Sequence, residues 1–90
     1  MLKIKRHKTF VKDLKKLQLS DQHFSRYILF IARLIEGVPL PKEALNHPLK
    51  GNYEGFFEFH ISGDVLVIYK IVDGELWLIR IGTHAQLFKE

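Results

Sequence analysis

Residues that can transfer protons or hold a phosphate are concentrated in the second half of the chain. The candidates for catalysis are His47, Glu58, His60, Asp64, Arg80 and His84. Cleaving RNA without a metal needs a base for the 2′-hydroxyl, an acid for the leaving 5′-oxygen and positive charge beside the phosphorane. Histidine serves as base or acid near neutral pH, and the planar guanidinium of arginine binds phosphate through two N–H groups at once. Together these side chains supply every group that such a reaction needs.

The strands around these residues decide which of them share a surface. From residue 56 onward the apolar period is two, and it predicts three strands, at 56–61, 64–72 and 75–81. Ser62-Gly63 and Asp73-Gly74 are interpreted as two-residue hairpin turns, the second typical of a type I′ turn. Since such turns fix the register, Glu58 is expected to face Val67, and Val67 to face Arg80.

This register predicts an apolar and a polar face for the sheet. The face expected to pack against helices carries Phe57, Phe59, Ile61, Leu66, Ile68, Trp77, Ile79 and Ile81. The opposite face carries Phe56, Glu58, His60, Val65, Val67, Tyr69, Leu78 and Arg80, and His84 follows the last strand. Two strands apart, the backbones of Glu58 and Arg80 would be roughly 10 Å from each other, so their side chains could enclose a phosphate or only pair with each other.

The first half of the chain predicts the helices that cover the apolar face. A short strand at 2–5, with Leu2 and Ile4 inward, precedes a helix capped by Thr9; Ser20 caps a second helix, which ends at Gly37. The apolar positions expected to face inward are Phe10, Leu14 and Leu17 in the first helix, and Phe24, Tyr27, Ile28, Ile31, Leu34 and Ile35 in the second. Residues 39–55 read as irregular. The prediction is one α+β domain over residues 1–90, with two N-terminal helices on one face of a small antiparallel sheet.

Composition restricts the partners and cofactors of this domain. The net charge is +4, and Lys12, Lys15 and Lys16 share the polar face of the first helix, which favours either ribosomal RNA contact or plain solvation. There is no cysteine, and no metal-ligand spacing such as H-E-x-x-H occurs, so neither metal nor cofactor is expected. The chain contains no apolar run of the roughly 20 residues that span a bilayer, nor the apolar core of a signal peptide, which predicts a cytoplasmic protein.

Three segments in combination carry a family resemblance. They are His47-Pro48-Leu49-Lys50-Gly51, then Glu58-Phe59-His60 with Asp64, and then Arg80-Ile81-Gly82-Thr83-His84 followed by Leu87-Phe88. This sequence resembles the YafQ branch of the RelE/ParE superfamily of bacterial toxins, over essentially its whole length. The resemblance implies a RelE-like fold and a ribosome-dependent endoribonuclease that cuts mRNA in the ribosomal A site without a metal. It also implies a cognate antitoxin similar to DinJ or RelB, with operator DNA bound only through the toxin–antitoxin complex.

The resemblance also implies roles for individual residues. His47, His60, Asp64, His84 and Phe88 match active-site positions of such toxins, Glu58 matches an acidic residue, and Arg80 matches an arginine. Our hypothesis makes Glu58 or His60 the base and His84 the acid. Arg80 and His47 would stabilise the phosphate, Asp64 would orient a histidine, and Phe88 would stack on a base. The cations expected to contact RNA are Lys12, Lys15, Lys16 and Lys50.

Two departures keep other functions open. Relatives usually carry arginine where this chain has Phe57, and some carry tryptophan where it has Val65. One alternative is a ParE-like toxin that poisons DNA gyrase, against which the three convergent histidines argue. The other is a catalytically inactive module that binds only antitoxin or nucleic acid. Expression without a partner separates the two classes, since a pure binding module should not arrest growth.

Overall fold

The computed structural model describes residues 1–88 as three helices packed with one five-stranded sheet. The strands are β1 (Lys3–Arg6), β2 (His47–Pro48), β3 (Phe57–His60), β4 (Val65–Val72) and β5 (Glu75–Thr83). The helices are α1 (Lys8–Lys16), α2 (Asp21–Glu36) and α3 (His84–Leu87), and short 3₁₀ turns occupy Lys42–Ala44 and Gly51–Tyr53. The α+β class is confirmed. In the part of the chain that the structure describes, no helix combines the length and apolar character needed to cross a membrane.

The prediction of a purely antiparallel sheet was wrong, because the outer strand β1 runs parallel to β5. The spatial order is β1-β5-β4-β3-β2, and the other neighbouring pairs are antiparallel. Leu2 packs against the core as expected, but Ile4 is 44% exposed. β2 lies within the segment expected to be irregular, and it adds a strand at the far edge that places His47 opposite Glu58.

The predicted register contained two errors of one residue that cancel each other. Around the first turn the pairing is one residue further along than expected, because residues 61–64 form a longer connection in which the Ile61 amide donates to the Val65 carbonyl at 2.8 Å. The Asp73-Gly74 hairpin begins as predicted, but a bulge between Ile68 and Tyr69 shifts the later pairs. Glu58 therefore faces Ile68 instead of Val67, and Ile68 faces Arg80.

The first of these errors reversed the predicted faces of β4 and of the start of β5, since a slip of one residue exchanges the two sides of a strand. Side chains expected under the helices but found on the other, open face of the sheet are Leu66, Ile68, Trp77 and Ile79. Side chains expected on the open face but packed with the helices are Val65, Val67, Tyr69 and Leu78. In β3 the prediction is confirmed: Phe59 is in the helix-packed core, and Glu58 and His60 lie on the other side.

The two long helices begin and end largely where their caps predict. The Ser20 hydroxyl accepts from the His23 amide at 3.1 Å, and Gly37 ends α2 in the left-handed conformation at φ 73°. The expected cap of α1 was wrong, since the Nδ1 atom of His7, not Thr9, accepts at the first turn.

The buried side of α2 is rotated from the predicted stripe. Phe30 is fully packed and meets the ring of Phe59 edge-on at 5.8 Å, while Phe24 and Ile28 are each 50% exposed. Tyr27, Ile31, Leu34 and Ile35 contribute to the core as expected. A large ring facing the sheet thus decides which side of the helix is buried.

Removal of the α2 cap should destabilise the fold. We expect Ser20→Ala to lower the free energy of unfolding by about 1 kcal/mol, because the His23 amide loses its acceptor. Urea denaturation measures the difference, with Ser25→Ala, at an exposed position inside the same helix, as the matched control. Equal stability of the two variants would show that the cap contributes nothing.

Candidate active site

The centre of the site is the carboxylate of Glu58, whose side chain is only 6% exposed. β2 pairs with β3 so that His47 lies opposite Glu58, and the His47 Nε2 atom is 2.8 Å from Glu58 Oε2. The Nδ1 atom of His47 lies 2.9 Å from the carbonyl oxygen of Pro48. A carbonyl only accepts, so the tautomer with hydrogen on Nδ1 suits this contact. His47 Nε2 and Glu58 Oε2 thus lie within hydrogen-bond distance, close enough for a proton to pass between them.

His60 lies on the other side of the same carboxylate. Its Nε2 atom is 3.5 Å from Glu58 Oε2, its side chain is 10% exposed, and its ring stacks on that of His47 with centroids 6.4 Å apart. The Nδ1 atom of His60 is buried and has no hydrogen-bond partner among residues 1–88. An unsatisfied buried polar atom costs roughly 1–3 kcal/mol, a cost that a bound water or ion removes and that a catalytic site can retain.

His84 completes the cluster from the first position of α3. The Thr83 hydroxyl accepts from the Gln86 amide, and the Gln86 side chain accepts from the Thr83 amide, which closes a capping box. A Cβ atom at Gly82 would lie 2.7 Å from the Gln86 amide oxygen, so glycine leaves the room that this box requires. The His84 ring is exposed to solvent and lies 5.4 Å from the ring of His60. Its imidazole is thus accessible to a substrate from solvent.

The same groups also suit a metal ion. Glu58, His60 and His84 each offer one ligand atom, and the three atoms lie within 4.8 Å of one another. Two imidazole nitrogens and a carboxylate oxygen are a donor set that zinc or copper accepts. An ion bound there would occupy the lone pairs on which proton transfer depends.

Arg80 is held by α1 and not by Glu58. Its Nε atom donates to Asp13 Oδ2 at 2.6 Å and its Nη2 atom to Asp13 Oδ1 at 3.1 Å. The hydrogen bonds to Asp13 raise the pKa of Arg80 above its ordinary value, and the nearby Tyr53 side chain adds to the effect. The expected alternative, a simple Arg80–Glu58 pair, was wrong, because the guanidinium extends toward the edge of β5 that α1 covers.

Aromatic rings continue from the imidazoles along the open face of the sheet. Phe88 lies 6.0 Å from His84, and Tyr53 meets Phe88 at 5.7 Å and Phe56 at 5.9 Å, both edge-on. Leu66 and Ile68 form the floor beneath this row together with Leu87. These half-buried rings lie next to the imidazoles, where an exposed ring face could stack on a nucleobase.

The remaining predicted residues lie around this centre or away from it. Asp64 is exposed in the turn between β3 and β4, and none of the hydrogen bonds or ion pairs found within residues 1–88 joins its carboxylate to a histidine. The four predicted RNA-binding lysines are all exposed; they are Lys12, Lys15, Lys16 and Lys50. Lys16 lines a depression beside Arg80, and Lys50 directly precedes the turn that carries Tyr53.

Phe57 lies on the side of the sheet that faces away from the histidines. It pairs with Tyr69, a residue of the helix-packed core, and the two rings stack at 5.8 Å. The prediction that position 57 belongs to the helix-packed side is confirmed. Phenylalanine here therefore stacks on the edge of the core while the residue stays 39% exposed, and it leaves the histidine cluster intact.

Two residues of the site, Asp13 and Tyr53, were not predicted from the sequence. Asp13 is the one acidic residue of α1, among Lys8, Lys12, Lys15 and Lys16, and that isolation was the available signal. Tyr53 had only its closeness to the His47–Gly51 motif to distinguish it from an ordinary loop aromatic. Both residues contact partners far away in the chain, which no local pattern specifies.

Known proteins share both the sequence and the fold. Residues 2–89 match the family described as "Bacterial toxin of type II toxin-antitoxin system, YafQ". The chain is 35% identical over 80 residues to the mRNA interferase toxin YafQ of Escherichia coli strain K12. The aligned segment covers 88% of this chain and 87% of that protein.

Two solved structures extend the comparison to three dimensions. A metal-bound toxin from Helicobacter pylori is 34% identical, with a TM-score of 0.86 over 98% of this chain and 100% of that one. YafQ in the DinJ–YafQ complex of E. coli is 32% identical, with a TM-score of 0.84 over 98% and 99% of the two chains. The RelE-like fold implied by the resemblance is confirmed. With nearly its whole length matched, the chain belongs to the YafQ family of toxins of bacterial type II toxin–antitoxin systems.

Proposed function

We propose that this protein is an mRNA interferase that cleaves mRNA on the ribosome by metal-independent acid–base catalysis. The observation that carries the proposal is the Glu58 carboxylate, buried between His47 at 2.8 Å and His60 at 3.5 Å, with His84 in the same cluster. The name of the E. coli relative, an mRNA interferase toxin, supports the same reaction. Attack by the 2′-hydroxyl on the adjacent phosphate needs only groups of these types.

In this proposal Glu58 is the base and His84 is the acid. The His47 Nε2 atom already contacts the carboxylate, so His47 holds Glu58 in place and passes protons to and from it; this role replaces the phosphate contact that the sequence suggested. The exposed ring of His84 is free to protonate the leaving 5′-oxygen. His60 lies between these two groups, within ring contact of both histidines, and fixes their spacing. Its position is that of a support and not of a proton donor to solvent.

Binding of the RNA is assigned to charge and stacking around this cluster. Arg80 supplies a permanent cation for the phosphate, and Phe88 together with Tyr53 supplies rings for the bases. Lys12, Lys15, Lys16 and Lys50 are exposed cations that contact the RNA backbone of the ribosome or the message. Asp64 stays a predicted site residue at the rim, in the turn beside His60. One small domain gains substrate positioning from the ribosome.

The partners follow from the family and from charge. The E. coli relative has been solved in complex with DinJ, and we propose that a comparable antitoxin neutralises this chain, whose net charge of +4 suits an acidic segment. Operator DNA is bound only through that complex. Ribosomes and mRNA as targets place the activity in the cytoplasm. The clustered imidazoles favour a nuclease over a ParE-like gyrase poison, and the orientation of Phe57 removes the main reason to infer an inactive binding module.

Removing the proposed acid should abolish cleavage. We expect His84→Ala to reduce cutting about 100-fold or more, the lower end of what a general acid contributes. Mapping of mRNA 5′ ends in cells after brief induction gives the readout, with His23→Ala, on α2, as the matched histidine control.

In-frame cuts that need translation and His84, but not His23, support the proposal. New ends at the wild-type level in the His84 variant would contradict the acid role. Growth arrest without new ends would instead favour the gyrase reading.

Removing transition metals should leave the rate unchanged. Single-turnover cleavage on programmed ribosomes is measured with a chelator selective for zinc and copper, while Mg²⁺ is kept high enough to preserve the ribosome. Glu58 and His84 transfer the protons and His60 supports them, so the cluster needs no ion. Loss of cleavage on chelation that added zinc restores would overturn the metal-independent mechanism.

Restoring arginine at position 57 should not accelerate the reaction. The side chain of Phe57 stacks on Tyr69 on the face away from Glu58 and His60, so Phe57→Arg adds a cation where no substrate phosphate lies. We expect an unchanged cleavage rate and a loss of roughly 1 kcal/mol of stability, the contribution of an aromatic pair. Phe57→Leu controls for loss of the ring alone. A large gain in rate in Phe57→Arg, but not in Phe57→Leu, would show that this position belongs to the site.

A further inference from the structure

The contact between Asp13 and Arg80 joins α1 to β5, and the proposed reaction gives Asp13 no role. The Asp13 carboxylate accepts from Nε and Nη2 of Arg80 and, through Oδ2, from the backbone amide of Ile81 at 3.2 Å. The Asp13 side chain is 15% exposed and that of Arg80 is 25% exposed. One carboxylate from α1 thereby fixes both the side chain and the backbone of β5, 67 residues further along the chain.

The geometry of this contact determines which edge of the guanidinium remains available. Asp13 occupies the edge formed by Nε and Nη2, and this leaves the two Nη1 hydrogens and the second Nη2 hydrogen. Those hydrogens form the end of the guanidinium, which also binds two phosphate oxygens at once. Lys16 and Gln86 line the same depression as Asp13 and Arg80, so a second cation lies close to the guanidinium, and the Tyr53 side chain is also near it.

The backbone around Arg80 makes such a restraint necessary. The bulge in the β4–β5 pairing leaves Ile79 without a partner in β4 and places Arg80 opposite Ile68. β1 pairs with β5 only from Glu75 to Leu78, and beyond that point Asp13 of α1 holds β5 through the Arg80 side chain and the Ile81 amide. A long arginine at such an edge has many rotamers unless a partner selects one.

We propose that Asp13 is a positioning residue for the nuclease reaction, holding Arg80 so that the free end of its guanidinium faces the scissile phosphate. This inference rests on the proposed nuclease function and adds a residue to it. Asp13 itself does not touch the substrate. Because it lies on the helix that carries Lys12, Lys15 and Lys16, RNA that binds those lysines is bound to the same rigid element that orients Arg80.

The test is the single-turnover cleavage of mRNA on programmed ribosomes by Asp13→Asn. The substitution is nearly isosteric, but its amide nitrogen directs a donor at the N–H groups of Arg80 or Ile81. We expect the maximal rate to fall about tenfold to a hundredfold, the usual effect of misplacing a group by about an ångström, with an unchanged half-saturating ribosome concentration. Asp13→Glu, which keeps both oxygens, should recover most of the rate. Asp21→Asn, at an exposed position on α2, is the matched control.

A double-mutant cycle separates positioning from general stabilisation. In the Arg80→Ala background Asp13→Asn should have no further effect on the rate, whereas a merely structural role would lower it again. Additive effects would overturn the proposal. So would a wild-type rate in Asp13→Asn, or a faster one, which would mean that Asp13 restrains Arg80 from the substrate. Failure of the wild-type protein to cut at all would refute the nuclease function itself. That outcome is distinct from the failure of the positioning role alone, in which the wild-type protein still cuts.

Discussion

The arrangement of the site depends on the hydrogen bond between the nearly buried carboxylate of Glu58 and the imidazole of His47. Transfer of an ionised carboxyl group out of water costs several kcal/mol unless a partner compensates. Glu58 meets this requirement through His47 at 2.8 Å, and the short strand β2 is what brings that imidazole into line. His60 lies on the other side, and α3 adds His84. The interaction that makes the buried charge tolerable is therefore also the one that prepares it for proton transfer.

Arg80, the cation of the site, is held in place by a different element, α1, through Asp13. The β4–β5 bulge keeps Arg80 in the row of Glu58 and Ile68, and Asp13 then draws the guanidinium toward α1. The site thus has the buried Glu58 carboxylate paired with the half-exposed His47 of the edge strand β2, and a fixed cation on β5. The row of rings from His84 to Phe88 and Tyr53 lies along the same face. Each component is held by a different pair of elements.

Local patterns predicted the parts of this arrangement that depend on neighbours in sequence. Alternation across β3 placed Glu58 and His60 on one face, and Asp73-Gly74 marked its hairpin, because both follow from strand geometry and turn chemistry. Ser62-Gly63 gave a false two-residue turn, since a connection of four residues carries the same glycine signal. The parallel placement of β1 and the Asp13–Arg80 contact depend on tertiary packing between residues far apart in the chain, and no local period encodes them.

The central claim is that a carboxylate at position 58 accepts the proton of the 2′-hydroxyl. The most direct measurement is the single-turnover cleavage rate of Glu58→Gln on programmed ribosomes. Glutamine keeps an oxygen that can accept from His47 and removes only the basic carboxylate, so the fold and ribosome binding should persist. We expect the rate to fall by about 100-fold or more, with a melting temperature equal to or above that of the wild type. Cleavage by the folded variant at the wild-type rate would contradict it.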